Sequence, residues 1–525
     1  MDTKDIIKDR HFKSCLEEIE EPVTGTIYGD LPEWLKGTLL RNGPGLYDIG
    51  QDQYHLFFDG MAMFHKFCIK DGVVTYRNKF LQSDAYTKNM AANRIVISEA
   101  GTLKHPDPCK NIFKRFFSWF MDDDETDNCN VNFANIGDGI YAITETSKLH
   151  RIDPESLESI DKIRLRDYVS VYTSTAHPQR DADGNVYNFG QSVTTKGLSY
   201  SLLKFPPEKG KEAFRNATIV TQIPSRWRMN LGYFHSFGLT DRYIIFAEQS
   251  LQISLIQVLK SGILKSCPAA NSLKYNDLEP VRFFVIDKKS GTVSDSIYMA
   301  APFFFFHAIN AFEDGDHLVF DVACCNNGKV FESIERFSKM SIEEYRRKVP
   351  GSTIRRFVLP LSTKTDVDKD MVNLDYTGAK ARYQPDGTIF CDPEVMDTKG
   401  YTFELPQINP SYCRQKYRYT YGISYNNENK TEFPTINELM KFDFKSREFQ
   451  LWSRQGFLPS EPIFIAQPNS VEEDEGVILS AVYSLERENC VYLLVLDAKS
   501  FEEMAWVEFD TVSTVPICIH GMFLK

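Results

Sequence analysis

A chain of 525 residues with a formal net charge of −12 is too long for one ordinary hydrophobic core, so it calls for several domains or one large domain built of repeats. The acidic balance argues against nucleic acid as a partner, and no window approaches the ~20 apolar residues of a spanning helix, so no transmembrane segment is expected. Eleven cysteines, with Cys324 and Cys325 adjacent and no C-x-x-C spacing, point to a reduced, cytoplasmic compartment rather than to disulfides or a zinc–thiolate site.

The first residues, Met1 to Arg10, are charged and carry no apolar signal core. Beyond them β signals dominate. An Asp- or Gly-containing turn leads into a short run rich in Val, Ile, Tyr, Phe and Thr at Lys70 to Tyr76, Gly137 to Ile143, Asp183 to Phe189, Asp241 to Phe246, Asp314 to Phe320, Pro385 to Phe390 and Glu475 to Ser480. Seven units, roughly 45 to 90 residues apart, are too irregular for a solenoid but suit propeller blades of four short strands with variable loops. No Pro-, Gly- or Ser-rich linker divides the chain. The expectation is therefore a single all-β domain over residues 1–525: a seven-bladed β-propeller, with short helical insertions near 106–121 and 251–266 capping one face.

In the first of these insertions a helical wheel places Ile112, Phe113, Phe116, Phe117 and Phe120 on one face, with Lys110, Lys114, Arg115 and Ser118 mostly opposite. A helix that merely covers a sheet would have the same outline, but four phenylalanines and Trp119 beside basic residues fit a helix lying in a membrane interface. Cys109 stands where a reversible acyl chain could attach. The stretch Leu255 to Lys265 repeats the arrangement more weakly.

Four histidines share a local grammar. His177, His235 and His307 each follow an apolar or aromatic lead-in and precede a turn signal, while His520 lies among apolar residues with Gly521 after it, where backbone or ligand can approach closely. A lone histidine in such surroundings is more often a hydrogen-bonded core residue. Four of them arriving from corresponding places in different units could converge on one metal ion. A last strand carrying His520 would also close the ring against the early strands.

Read in chain order, Leu39 to Gly45, His55 to Gly60 ahead of His65, Asp107 to Phe113, Thr144-Glu145-Thr146, the four histidine contexts, Phe403 to Asn409 and Ser460 to Phe464 resemble the carotenoid cleavage oxygenase family. The likeness runs from about Glu20 to the last residues. Pro224 to Arg228, Leu239 to Tyr243 and Glu248 to Leu251 are most similar to its invertebrate branch. The resemblance implies a seven-bladed propeller with iron(II) on its axis, held by His177, His235, His307 and His520. It implies that Glu145, Glu404 and Glu461 hold three of those rings, leaving His177 without a carboxylate. Phe58, Thr144, Phe306 and Leu405 become candidates for the wall of a substrate tunnel, which the run Phe303 to Phe306 could help to form. Ala100 stands where relatives usually carry phenylalanine, so the tunnel there would differ in shape.

The implied activity is cleavage of a carotenoid by dioxygen at its central 15,15′ double bond into two retinal-type aldehydes. One half would be isomerised to the 11-cis form for visual chromophore, and the protein would associate peripherally with a membrane leaflet. The chemistry is self-consistent: neutral imidazoles suit a divalent first-row metal and leave positions open, zinc would bring no redox chemistry, and a polyene needs an apolar tunnel. A dication, four neutral ligands and three carboxylates leave about one net negative charge. Two rivals share the scaffold: a retinyl ester isomerohydrolase using iron as a Lewis acid, and a non-enzymatic propeller that binds lipid or protein. The family uses neither His55 nor His65 as a ligand, His317 is expected to face solvent, and His11, His105 and His150 give no signal. Oligomeric state is left open.

Overall fold

The computed structural model describes residues 10–103, 125–195, 197–254, 256–257, 272–328, 351–362, 366–427 and 437–525. The seven turn-led runs all enter strands: Val73–Phe80, Gly139–Ile143, Val186–Thr194, Tyr243–Glu248, His317–Cys325, Thr388–Asp392 and Gly476–Ser484. Their β-branched and aromatic residues fit a pleated surface. The turn glycines Gly72 and Gly184 lie in the left-handed region, at φ +77° and +83°, where a Cβ would be strained. Gly476–Ser484 is buried at every position, as expected of a strand covered on both faces.

Among the described residues the strands form seven sheets of four to six strands, one of three and one of two. Most are antiparallel meanders of consecutive strands. One sheet runs Val23–Thr24, Val73–Phe80, Met61–Lys70, Gly37–Leu46 and His520–Leu524, so early and late chain share a ladder with His520 opposite Asn42. Directly after Val23–Thr24, Thr26–Gly29 crosses to pair with Glu503–Asp510 in another sheet. The core lies between sheets: Leu39, Phe67 and Tyr76 of one pack with Leu479, Leu493, Val507 and Phe509 of the other.

Two expectations need correction. The run at Pro385 is not a unit of its own, because Thr388–Asp392 pairs in parallel with Ile297–Ala300 and extends the sheet begun at Gly238–Leu239. The sheet that had no counterpart in the sequence reading is Glu404–Gln407, Tyr419–Ser424, Glu438–Asp443 and Phe449–Ser453. Its last turn has no glycine. Arg447 takes the left-handed conformation, at φ +64°, while Asp443 Oδ1 accepts from Lys445 N at 2.8 Å. An aspartate turn of this kind lacks the glycine signal that marks the others.

Within the expected 251–266 helix, Leu251–Ser254 is instead a strand paired with Asn230–Gly232; Ile256 and Gln257 are helical. The remainder lies outside the described residues, as does the whole 106–121 segment with Cys109, Ile112, Phe113, Phe116, Phe117 and Phe120. A helix at Asp84–Ala92, capped by Ser83 accepting from Tyr86 N, went unread. Among the described residues no helix is long and apolar enough to cross a membrane, and none of the described cysteines is disulfide-bonded.

Candidate metal centre

Each histidine sits at a break, a bulge or an end of a strand. His177 occupies the break between Thr173–Ser174 and Gln179–Arg180, two short strands that pair with the same neighbour, Val186–Thr194. Pro178, lacking an N–H, cannot continue that ladder. Thr175 Oγ1 accepts from His177 N at 2.8 Å and fixes the kink. His235 lies between Asn230–Gly232 and Gly238–Leu239. His307 falls in a register shift between Phe305 and Ala308, and a bulge of this kind re-aims a side chain. His520 opens the strand that pairs with Gly37–Leu46.

The four rings meet. His177 lies 4.4, 5.0 and 4.7 Å, centroid to centroid, from His235, His307 and His520. His307 lies 5.0 Å from His235 and 5.1 Å from His520. One nitrogen from each falls within 4.8 Å of the other three, and His177 Nε2 is 2.8 Å from His235 Nε2.

Three carboxylates stand behind them. Glu145 Oε1 is 2.5 Å from His235 Nδ1, Glu404 Oε2 is 2.6 Å from His307 Nδ1, and Glu461 Oε1 is 2.8 Å from His520 Nδ1. A carboxylate accepting at Nδ1 places the proton there and leaves the Nε2 lone pair facing the centre. His177 has no carboxylate partner among the described residues. Each of the seven residues lies in, or within three residues of, a strand of a different one of the seven larger sheets. Glu145 lies in a hairpin turn, Glu404 begins a strand with a bulge before Gln407, and Glu461 follows Phe457–Pro459.

These carboxylates have partners of their own. Tyr233 Oη donates to both Glu145 oxygens at 2.9 and 3.0 Å. Leu405 N donates to Glu404 at 3.0 Å. Gln407 Nε2 and Arg41 Nη1 donate to Glu461 at 3.0 and 2.9 Å. Burial pushes the His177 imidazolium well below its ordinary range, and the other three histidines push it further. Burial also lowers His235 and His520, against the opposing pull of Glu145 and Glu461. Burial alone would raise the Glu461 carboxyl, but His520, Arg41 and Gln407 hold it below its usual value.

These shifts favour neutral imidazoles at His177, His235 and His520 and an ionised carboxylate at Glu461. Among the described residues His307 Nε2 is buried without a hydrogen-bond partner, which is costly for a polar atom unless something else fills the role. A divalent first-row cation is the group this donor set fits. A second group, Cys490, Glu508 and Asp510, does not compare, because Arg487 already pairs with both carboxylates.

Phe306 packs edge-on to His235 at 5.1 Å. Thr144 and Leu405 adjoin Glu145 and Glu404 and are half-buried, as is Phe58, whose carbonyl accepts from Asn130 Nδ2 at 2.7 Å. The run Phe303 to Phe306 divides: Phe303 and Phe305 belong to a core between sheets, Phe304 packs with Leu251 and Cys325, and Phe306 packs against His235. Ala100 is exposed. His317 does not face solvent. It is buried, with Nε2 3.1 Å from Met371 O, because the strand it opens is covered along its whole length. His65 is buried against Tyr76 Oη at 2.8 Å, and His150 lies between Ser159 and Asp127. Arg41, Tyr233 and Gln407 were not singled out from sequence. For Arg41 the signal was a charge amid Leu39, Leu40 and Gly43, since an arginine in a buried strand needs an anion.

The chain matches the RPE65 family, described as retinal pigment epithelial membrane protein, over residues 12–525. It is 36% identical over 533 residues to beta,beta-carotene 15,15'-dioxygenase of Mus musculus, covering 99% of this chain and 91% of that one. To the mitochondrial carotenoid-cleaving dioxygenase of Mustela putorius furo it is 38% identical, covering 97% and 95%. In structure it is similar to cobalt-substituted Synechocystis apocarotenoid oxygenase, with TM-score 0.78 and 21% identity over 100% of this chain and 99% of the other. An ACO/RPE65 chimera gives TM-score 0.79 at 22% identity over the same shares. With the family pattern spanning nearly every residue and such identities holding along whole chains, this chain belongs to the RPE65/carotenoid oxygenase family.

Proposed function

We propose that the protein is an iron(II)-dependent dioxygenase that cleaves a carotenoid at its central 15,15′ double bond. The C=C and O=O bonds break and two C=O bonds form, giving two retinal-type aldehydes with every atom accounted for. The observation that carries the reading is the set of four converging imidazoles, three of them held at Nδ1 by carboxylates, with His307 Nε2 buried and unpartnered. Bound by these nitrogens, iron(II) would supply a redox-active ion with open positions for dioxygen and substrate. The relatives named above act, by their names, on carotenoids.

The protein's own residues prepare that site. Glu145, Glu404 and Glu461 fix the tautomers of three rings, and Thr175 holds the backbone of the fourth. Phe306, Phe58, Thr144 and Leu405 are assigned to the wall that receives the polyene and keeps water out. The seven larger sheets are read as blades of a propeller. Support comes from cores shared between successive sheets, such as Leu40 and Phe64 with Phe133, Phe189 with Phe246 and Phe312 with Phe442. Isomerisation of one product to the 11-cis form, a place in visual chromophore supply, and peripheral membrane association rest on the sequence resemblance and on the 106–121 segment.

The test supplies iron(II), a panel of carotenoids and isotopically labelled dioxygen, with products identified by chromatography and mass. Label in both aldehydes is expected. Unlabelled products from a retinyl ester would indicate the Lewis-acid isomerohydrolase instead. A protein that takes up no iron and turns over nothing when iron is supplied would be a binding propeller.

A further inference from the structure

The three carboxylates behind the histidines are not equivalent. Among the described residues, no lysine or arginine pairs with Glu145 or Glu404, whereas Glu461 meets the fully buried guanidinium of Arg41. Arg41 spends its fork on the segment that delivers His520: Nη1 donates to Glu461 Oε2 at 2.9 Å, Nη2 to Ile519 O at 2.8 Å and Nε to Cys518 Sγ at 3.1 Å. Gly521 makes room for this. A Cβ there would lie 2.2 Å from Leu40 O and 2.6 Å from Arg41 Cδ, and so would push the strand away from the arginine.

Glu461 completes the relay, since its other oxygen accepts from His520 Nδ1 at 2.8 Å. The planar guanidinium therefore fixes the carboxylate that fixes the ring, and also fixes the backbone one residue before it. Its charge has a second effect. A dication with three carboxylates would sum to minus one; with Arg41 the set is neutral, and a neutral surrounding favours the ferric state less than an anionic one.

We propose that Arg41 is a positioning residue of the metal centre with two separable effects: its fork holds Glu461 and His520 in place, and its charge biases bound iron toward the ferrous state that dioxygen chemistry requires. The inference rests on the four histidines being an iron site.

The experiment uses the full chain loaded with iron and measures metal stoichiometry and the ferric-to-ferrous ratio at a fixed applied potential. Arg41→Gln is expected to shift that ratio about tenfold toward ferric, a midpoint lower by about 59 mV for one electron. Arg41→Lys, which keeps the charge but not the fork, should leave the ratio within about twofold while iron affinity falls about tenfold. Because Arg41→Gln leaves Glu461 buried without its cation and could fail to fold, the Arg41→Gln/Glu461→Gln pair is compared with Glu461→Gln. The same tenfold ferric shift is expected between them. Iron binding by the wild-type chain with the ratio unmoved in both comparisons would overturn this inference alone; a wild-type chain that binds no iron would overturn the metal reading and this inference with it.

Discussion

His177 is the ring without a carboxylate among the described residues, and burial with its three neighbouring histidines pushes its imidazolium well below the ordinary range. It contributes a neutral nitrogen and no anionic support, yet it closes the set. Replacing any of His177, His235, His307 or His520 with alanine is expected to reduce iron content and turnover to background, as losing a ligand opens the site; metal analysis beside a turnover assay decides, and a variant that keeps both does not lose a ligand. Glu145→Gln and Glu404→Gln should be milder, about 10- to 100-fold in affinity or activity. A loss as complete as the histidine variants show would make the carboxylate a ligand itself. The histidines also predict a pH response. His177, His235 and His520 have folded pKa values below their unfolded value of about 6.5, so the unfolded chain takes up more protons as pH falls through that value. The metal-free protein should thus be pH-insensitive in this respect above pH about 6.5 and lose stability below it, read as a falling melting temperature between about pH 6.5 and 5. His317→Ala is the control: buried away from the cluster with a bond to Met371 O, it should lower stability by about 1–3 kcal/mol and leave iron content unchanged.

Among the elements, strands announced by an Asp–Gly turn were legible, and so were the four histidines, because polar residues in apolar contexts stand out. The sheet around Glu404 was not, since its turn uses Arg447 and Asp443 in place of glycine. Leu251–Ser254 looked helical because its apolar residues continue into Leu255 and Ile256. In the structure its edge is claimed by Asn230–Gly232, a tertiary pairing that local pattern cannot show. Glu404 and Glu461 were legible through the family pattern, whereas Arg41 was hidden because its anion lies 420 positions away in the chain. For the segment at 106–121 the sequence remains the guide. If Ile112, Phe113, Phe116, Phe117 and Phe120 dip into a leaflet with Lys110, Lys114 and Arg115 at headgroup level, binding should strengthen with anionic lipid and weaken with salt. A Phe113→Ser/Phe117→Ser variant is expected to lose vesicle flotation and vesicle-fed turnover while keeping turnover in detergent; unchanged flotation would count against a membrane role for this segment.

At the scale of the whole molecule, apolar cores lie between sheets, and one of them joins early and late chain, so a residue at that junction should carry the ordinary weight of a core side chain. Leu493, fully buried with Leu39 and Phe67, is expected to cost about 2–5 kcal/mol when replaced by alanine, measured by denaturant unfolding. That junction also has a consequence in time. Gly37–Leu46 leaves a ribosome early, but the strand that completes its ladder and brings the fourth histidine follows nearly the entire chain later. Until then a nascent chain carries an open strand edge, the kind of surface that recruits the wrong partner, and can offer at most three of the four rings. A metal that needs all four rings would therefore find its site complete only after His520–Leu524 has been made and has paired, and until then the open edge is exposed to wrong pairing.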